Sequence, residues 1–220
     1  MKGNGDAPSA MRRALSSDQS SYEPAAKFSR SHAIMGTAVA AAGLGGARLI
    51  DRLLQTGDAL ATPSKAQDER ILQLVLQLEY TEVAFYEQAL RNAGLQGELR
   101  QFAQTALGHE RQHLAAIRNA LGSKAGPKPS FDFGRNTKSQ SAFQETAIKL
   151  EDLAVAAYNG QATNLTAATL AAAAEIVSVE ARHAAWARAI AGEVAAPDPV
   201  DKPITAKEAV EGLHEIGLKS

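Results

Sequence analysis

The sequence predicts an all-α fold, a bundle of four helices arranged as two antiparallel hairpins joined by a long crossover. Three observations point to it. Apolar residues recur at helical spacing from about residue 64 to residue 191. Stretches of alternating, β-branched strand character are absent. The connections are unequal, with a few residues inside each of two helix pairs and about nineteen between the pairs.

Taken in order, Ser64 and Gln67 can form a capping box ahead of the first helix. Its apolar face carries Ile71, Leu72, Leu74, Val75, Leu78, Val83, Phe85, Tyr86, Ala89 and Leu90, and it ends near Gly94. The second helix runs from about Glu98 to Leu121, with Gly122 after it. The third spans about Ser141 to Asn159, with Gly160 after it, and the fourth about Thr166 to Ala191, stopped by Gly192 and Pro197. A glycine after each helix suits a left-handed closing residue. The short turns force each pair into a hairpin. Between the pairs, Gly122 to Gln140 contains Pro127 and Pro129. Extended, this segment reaches roughly 60 Å, against about 35 Å for a helix of about 24 residues, so it can climb the whole bundle. The bundle is assigned to residues 63–193, and a C-terminal tail with a short helix to 194–220.

Residues 1–62 differ in composition. Up to about Ser31 they are rich in Ser, Gly and Pro without an apolar period, which predicts disorder. Residues 33–47 are all apolar or small and follow Lys27 and Arg30, an arrangement that resembles a signal peptide. Compared with a twin-arginine export signal, Ser29-Arg30-Ser31 has one of the two arginines, and the pair Arg12-Arg13 is followed by a polar stretch. Ala59-Leu60-Ala61 offers a small-residue cleavage site far downstream. Export to the periplasm is one expectation; the other is a cytoplasmic protein with an Ala/Gly-rich arm or docking helix.

Composition narrows the chemistry. Lys plus Arg number 23 and Asp plus Glu 24, with a pI near 6.5, so no broad basic surface advertises nucleic acid. The chain has no cysteine, which excludes disulfide scaffolds, thiolate zinc sites, iron–sulfur clusters, Cys nucleophiles and a rubredoxin-like electron-feeding site within it. A metal would have to sit on His and carboxylate. No apolar run reaches the roughly 20 residues of an integral membrane span. A homo-oligomer is compatible with the sequence.

Each helix carries a carboxylate inside its apolar stripe, where a charge is costly unless paired. At about 100° per residue, Glu82 and Glu79 fall about 20° and 40° from the stripe centre at Val75, whereas Glu87 falls about 120° away. Glu110 lies among Ala106, Leu107, His113 and Leu114. Glu151 lies among Ala147, Ile148, Ala154 and Val155, and Glu180 among Ile176, Val177, His183 and Ala184. Two of these acids begin Glu-x-x-His, which sets carboxylate and imidazole on one helix face. A third instance, Glu211 with His214, sits in the tail without a partner hairpin and is read as accidental.

The two halves repeat. Tyr86 follows Glu79 by seven residues and Glu110 follows it by 31; Tyr158 follows Glu151 by seven and Glu180 follows it by 29. The midpoints of Glu79–Glu110 and Glu151–Glu180 fall at the two hairpin turns, so all four acids and both histidines belong at one level of the bundle. Four carboxylates and two imidazoles offer about ten donor atoms, and two divalent cations would cancel the carboxylate charge.

The pattern Glu79…Glu110-x-x-His113…Glu151…Glu180-x-x-His183 resembles the ferritin-like superfamily of di-iron or di-manganese carboxylate proteins. The phrases LEYTEVAFYEQAL, HERQH, LEDLAVAAYNGQA and VEARHAAWAR are most similar to bacterial ferritin-like domain proteins related to desiccation-associated proteins. Over about residues 65 to 192, the resemblance implies a ferritin-like bundle. It assigns Glu79, Glu110 and His113 to one metal and Glu151, Glu180 and His183 to the other, with Glu110 and Glu180 bridging. The cofactor implied is two iron ions, or manganese, reacting with O2 or H2O2 as in a ferroxidase or peroxidase; the alternative is a non-catalytic stress or structural bundle with a vestigial or structural metal site. Tyr86 and Tyr158 match tyrosines that hydrogen-bond to ligand carboxylates in such proteins, though simple core packing would also place them there. Glu82 adds a second inward acid on the first helix and is read as a supporting or rim acid rather than a ligand. His109 and Glu175, about 100° and 140° from their neighbouring ligands, are expected in solvent, as is Asp152. Trp186 is expected to report close helix packing.

Overall fold

The computed structural model describes residues 62–219. The signal-like run 33–47 and the candidate cleavage site at Ala59-Leu60-Ala61 lie outside the described residues. Helices α1 (Lys65–Asn92) and α2 (Gly97–Leu121) form the first hairpin, and α3 (Gln140–Gln161) and α4 (Ala167–Ala191) the second. A fifth helix, α5 (Ala206–Ile216), follows, and the two-residue strands β1 (Ser130–Phe131) and β2 (Leu218–Lys219) pair antiparallel. Among the described residues the architecture is all-α apart from that pair, and no helix is long and apolar enough to cross a membrane.

The capping box expected ahead of α1 is half formed. Gln67 N–H donates to Ser64 Oγ at 3.2 Å, but the Gln67 side chain accepts from Arg70 instead of reaching back. A complete box opens α5, where Glu208 N–H donates to Thr205 Oγ1 and Thr205 N–H to the Glu208 carboxylate. The start of α4 is held from across the bundle. The buried Asp68 of α1 accepts from Thr166 N–H at 2.8 Å and from the hydroxyls of Thr166 and Thr169 at 2.5 and 2.7 Å, satisfying donors at that helix's N-terminus.

From Ile71 to Tyr86 every residue of α1 except Gln77 is buried. One apolar stripe was expected, yet α1 is enclosed on further sides because the crossover and α5 cover what the other helices leave open. The crossover follows α1 closely. Gln73 clamps its start, donating to the Lys124 carbonyl at 2.6 Å and accepting from Gly126 N–H at 3.1 Å. Gln88 donates to Thr137 Oγ1 at 2.9 Å near its end. Those two glutamines are separated by roughly 22 Å of helix, which is the climb needed to start α3 beside α1. Phe133 of the crossover is buried edge-on to Phe85, which also stacks on Phe143 of α3 at 5.3 Å.

The C-terminal segment packs on the bundle. Ala209, Val210, Leu213 and Ile216 make the buried face of α5 at helical spacing, and β2 locks onto the crossover in the register Ser130↔Lys219 and Phe131↔Leu218. This docking corrects one expectation. Gly160 does not end α3, which continues to Gln161 and into a 3₁₀ turn over Ala162–Asn164. Its role is close approach. Ile204 N–H donates to the Ala156 carbonyl at 3.1 Å, and a Cβ on Gly160 would lie 1.8 Å from the Ile204 carbonyl oxygen. By contrast Gly192 ends α4 in the left-handed conformation with φ 75°, as its position predicts.

Gly160→Ala is therefore expected to push residue 204 off α3 and cost roughly 1–3 kcal/mol. Chemical denaturation checks this; unchanged stability would mean that the Gly160–Ile204 approach is not required.

Candidate metal centre

The four helices bring one side-chain set to a single level. Glu79 comes from α1, Glu110 and His113 from α2, Glu151 from α3, and Glu180 and His183 from α4. All four acids are 0% exposed and the histidines 4% and 3%. Such burial is possible because small and apolar neighbours, among them Ala106, Ala147, Ala154, Ile176 and Ala184, let the helices close over the polar atoms.

The atoms fall into two overlapping groups. Glu79, Glu110, His113 and Glu180 can each offer one ligand atom within 4.8 Å of the others, and so can Glu110, Glu151, Glu180 and His183. Glu110 and Glu180 belong to both. Their two oxygens divide between the groups. His113 Nδ1 lies 2.8 Å from Glu110 Oε2 and 2.9 Å from Glu180 Oε1, whereas His183 Nδ1 lies 3.0 Å from Glu110 Oε1 and 3.4 Å from Glu180 Oε2. Glu79 Oε2 is 3.7 Å from His113 Nδ1, and Glu151 Oε2 is 3.4 Å from His183 Nδ1.

The outer oxygens of Glu79 and Glu151 are held by tyrosines from the opposite hairpin. Tyr158 of α3 donates to Glu79 Oε1 at 2.7 Å, and Tyr86 of α1 donates to Glu151 Oε1. This crosswise exchange leaves Glu79 Oε2, Glu110 Oε1, Glu151 Oε2, both oxygens of Glu180 and His183 Nδ1 buried with no well-aligned hydrogen-bond partner, facing only one another and His113 across the centre. Orphaned acceptors facing one another are unfavourable on their own and suit a shared cation. The donor set fits a metal pair by this observation.

Electrostatics lead the same way. Burial pushes the Glu79 carboxyl well above the usual carboxylate range, against the lowering effect of His113. Burial also pushes Glu151 up to about 8, against His183. Burial would raise Glu180 too, but the close approach of both imidazoles, at 2.9 and 3.4 Å, outweighs it and draws that group down to about 2. For both imidazoles burial favours the neutral form; His113 is nevertheless raised by its hydrogen bonds to Glu110 and Glu180, and His183 by the Glu151 charge and by bonds to Glu110, Glu151 and Glu180. Without metal, protons supply the counter-charge that cations would supply.

Two expectations change. His109 is not simply in solvent; it is partly buried, and its Nδ1 lies 2.9 Å from His183 Nε2. The rings are within 12° of parallel with centroids 5.1 Å apart, a separation made up by that N–N distance and the two ring radii, so they meet edge to edge. With Nε2 engaged by His109, His183 turns Nδ1 to the acids. Helical projection missed this because it measures angles about one axis and not the reach of a side chain toward the next helix. Glu82 is likewise no rim acid. It is 0% exposed, and neither oxygen has a hydrogen-bond partner.

The remaining expected surface groups behave simply. Glu175 is exposed, Asp152 pairs with Arg188 of α4, and Trp186 packs edge-on to Phe102 at 5.4 Å while donating to Glu98 at 3.0 Å. Glu211 and His214 lie on α5, where His214 Nδ1 is 2.9 Å from the Leu218 carbonyl oxygen. A family model described as a ferritin-like domain matches residues 67–193. No curated protein matches the chain.

Two outcomes follow from this geometry. His109→Phe should leave the bundle folded but weaken metal binding by about 10- to 100-fold, the usual cost of losing a partner behind a ligand, as measured by metal titration of the chelator-treated protein; wild-type affinity would remove the orienting role. The second concerns pH. Glu79, Glu151, His113 and His183 all hold protons more tightly in the fold than in the open chain, so the folded state binds more protons between pH 4.5 and about 8. Stability of the metal-free protein should therefore fall as pH rises through that interval, while Glu180, at about 2, titrates below it. Thermal melts should show Tm dropping from about pH 5 to about pH 8 without metal, and a metal-induced gain in Tm that grows over the same range. A metal-free Tm that rises instead contradicts these protonation states.

Proposed function

The match spans more than half of the chain, which therefore belongs to the ferritin-like domain family, and from that membership we propose that Glu79, Glu110, His113, Glu151, Glu180 and His183 hold two iron or manganese ions that react with O2 or peroxide. The single observation that supports this reading is the pair of overlapping buried ligand groups sharing Glu110 and Glu180. Oxygen-rich ligation with one imidazole per group favours iron or manganese over tetrahedral zinc. When bound, such a pair supplies electrons to an oxidant and withdraws charge from it.

The chain's own residues set the conditions. Glu110 and Glu180 present one oxygen to each group, so they are the two residues that would hold a cation in either group. Tyr158 and Tyr86 fix the orientation of Glu79 and Glu151 and leave one oxygen of each free to face the centre. Phe102, edge-on to the His183 ring at 6.4 Å, and Phe143, packed on Tyr86 at 5.9 Å, exclude water beside the α3–α4 half. A second reading, a metal-free or inert scaffold, draws on the close contacts that His113 and His183 make with Glu110 and Glu180.

Protein purified from iron- or manganese-supplemented cells should carry about two ions per chain, and Glu110→Ala well below that. Consumption of O2 or H2O2 by the loaded protein supports an oxidoreductase. A loaded but unreactive protein favours the scaffold, and a wild-type chain without bound metal overturns the proposal.

A further inference from the structure

Resting on the reading that the centre holds cations, we propose that Glu82 is a fifth carboxylate ligand, which makes the two metal positions chemically unequal. Glu82 lies one turn beyond Glu79 on the same face of α1 and is fully buried, and both its oxygens lack a hydrogen-bond partner. The charges that bear on it are Glu110, Glu180, Glu79 and Glu151, all acids of the centre. A proton on Glu82 would let one oxygen donate to a neighbouring acid, but the second oxygen would still be buried without a donor. Glu82 stands in neither of the two groups whose atoms already lie within 4.8 Å of one another, so as a ligand it would turn its side chain toward a bound cation, which would satisfy its oxygens.

The repeat within the chain shows that packing does not require an acid here. Aligning Glu79 with Glu151 and Tyr86 with Tyr158 sets Glu82 against Ala154, which is equally buried and fills the equivalent place on α3 without a polar atom. The same alignment of α2 and α4 sets His109 against Val179. Both of these departures place a potential ligand or ligand partner on the first hairpin only. Donor supply agrees. Tyr158 and Tyr86 occupy one oxygen each of Glu79 and Glu151, which leaves about eight donors for two ions that take about ten to twelve; Glu82 adds two.

The test uses Mn(II) with chelator-treated wild-type, Glu82→Ala and Glu82→Gln full-length chains, with free Mn(II) followed by electron paramagnetic resonance, together with a crystal structure of the Mn-loaded wild type. Expected are two bound Mn(II) in the wild type, a loss of at least about 100-fold in the affinity of one of them in both variants, and a metal-free Tm for Glu82→Ala no lower than that of the wild type, since alanine is what α3 carries at this place. The anomalous difference map should place a Glu82 oxygen in a Mn coordination sphere. Both ions bound with unchanged affinity in the variants, or Glu82 outside both coordination spheres, overturns the assignment of Glu82 alone. Should Glu82→Ala fail to fold, the isosteric Gln variant and the wild-type crystal still decide. A wild-type chain that binds neither Mn(II) nor, without air, Fe(II) overturns this inference and the parent proposal together.

Discussion

Five carboxylates and two imidazoles buried at one level of an α-helical bundle must have their charge balanced, and most of the structure can be read as a response to that constraint. An isolated ionised carboxylate in such a place is costly, and several side by side repel as well. The metal-free chain balances them with protons on Glu79, Glu82, Glu151 and both histidines, and with short contacts from imidazole to Glu110 and Glu180. Those arrangements are also the ones a cation would replace, because ligands must shed their protons to bind metal.

The balance is shared between the hairpins rather than solved within each. Tyr86 and Tyr158 both reach across to the other hairpin's acid, and His113 and His183 each touch Glu110 and Glu180, which stand on different hairpins. The hydrogen bonds of the centre thus join the halves that the apolar core also joins. Asp68 adds a separate tie, from α1 to the first turn of α4. Among the ionisable groups gathered at the centre, the near-twofold repeat is broken at two places: Glu82 aligns with Ala154, and His109 aligns with Val179.

Around the centre, the connections serve as walls. The crossover and α5 enclose α1, which is why α1 tolerates two inward acids, a buried Gln73 and a buried Thr81 among its apolar residues. Gln73 meets the crossover, and Thr81 Oγ1 donates to the Gln77 carbonyl at 2.7 Å, so neither is left unpaired. The close seat of Ile204 on Gly160 belongs to the same enclosure, and it takes the glycine that looked like a helix stop.

The sequence by itself determined the helices, their pairing into hairpins, and the six side chains that share one level, because helical period and equal distance from a turn are properties of the chain alone. The local phrases around Glu79, Glu110, Glu151 and Glu180 were enough to show a ferritin-like resemblance. Tertiary structure decided the rest. That Tyr86 serves Glu151 and not Glu79, that His109 backs His183, that Glu82 is sealed from water, and that Gly160 makes room for Ile204 all depend on what an adjacent element places beside a residue. Periodicity reports which way a side chain faces, but only the packed neighbours fix its partner and the water left around it.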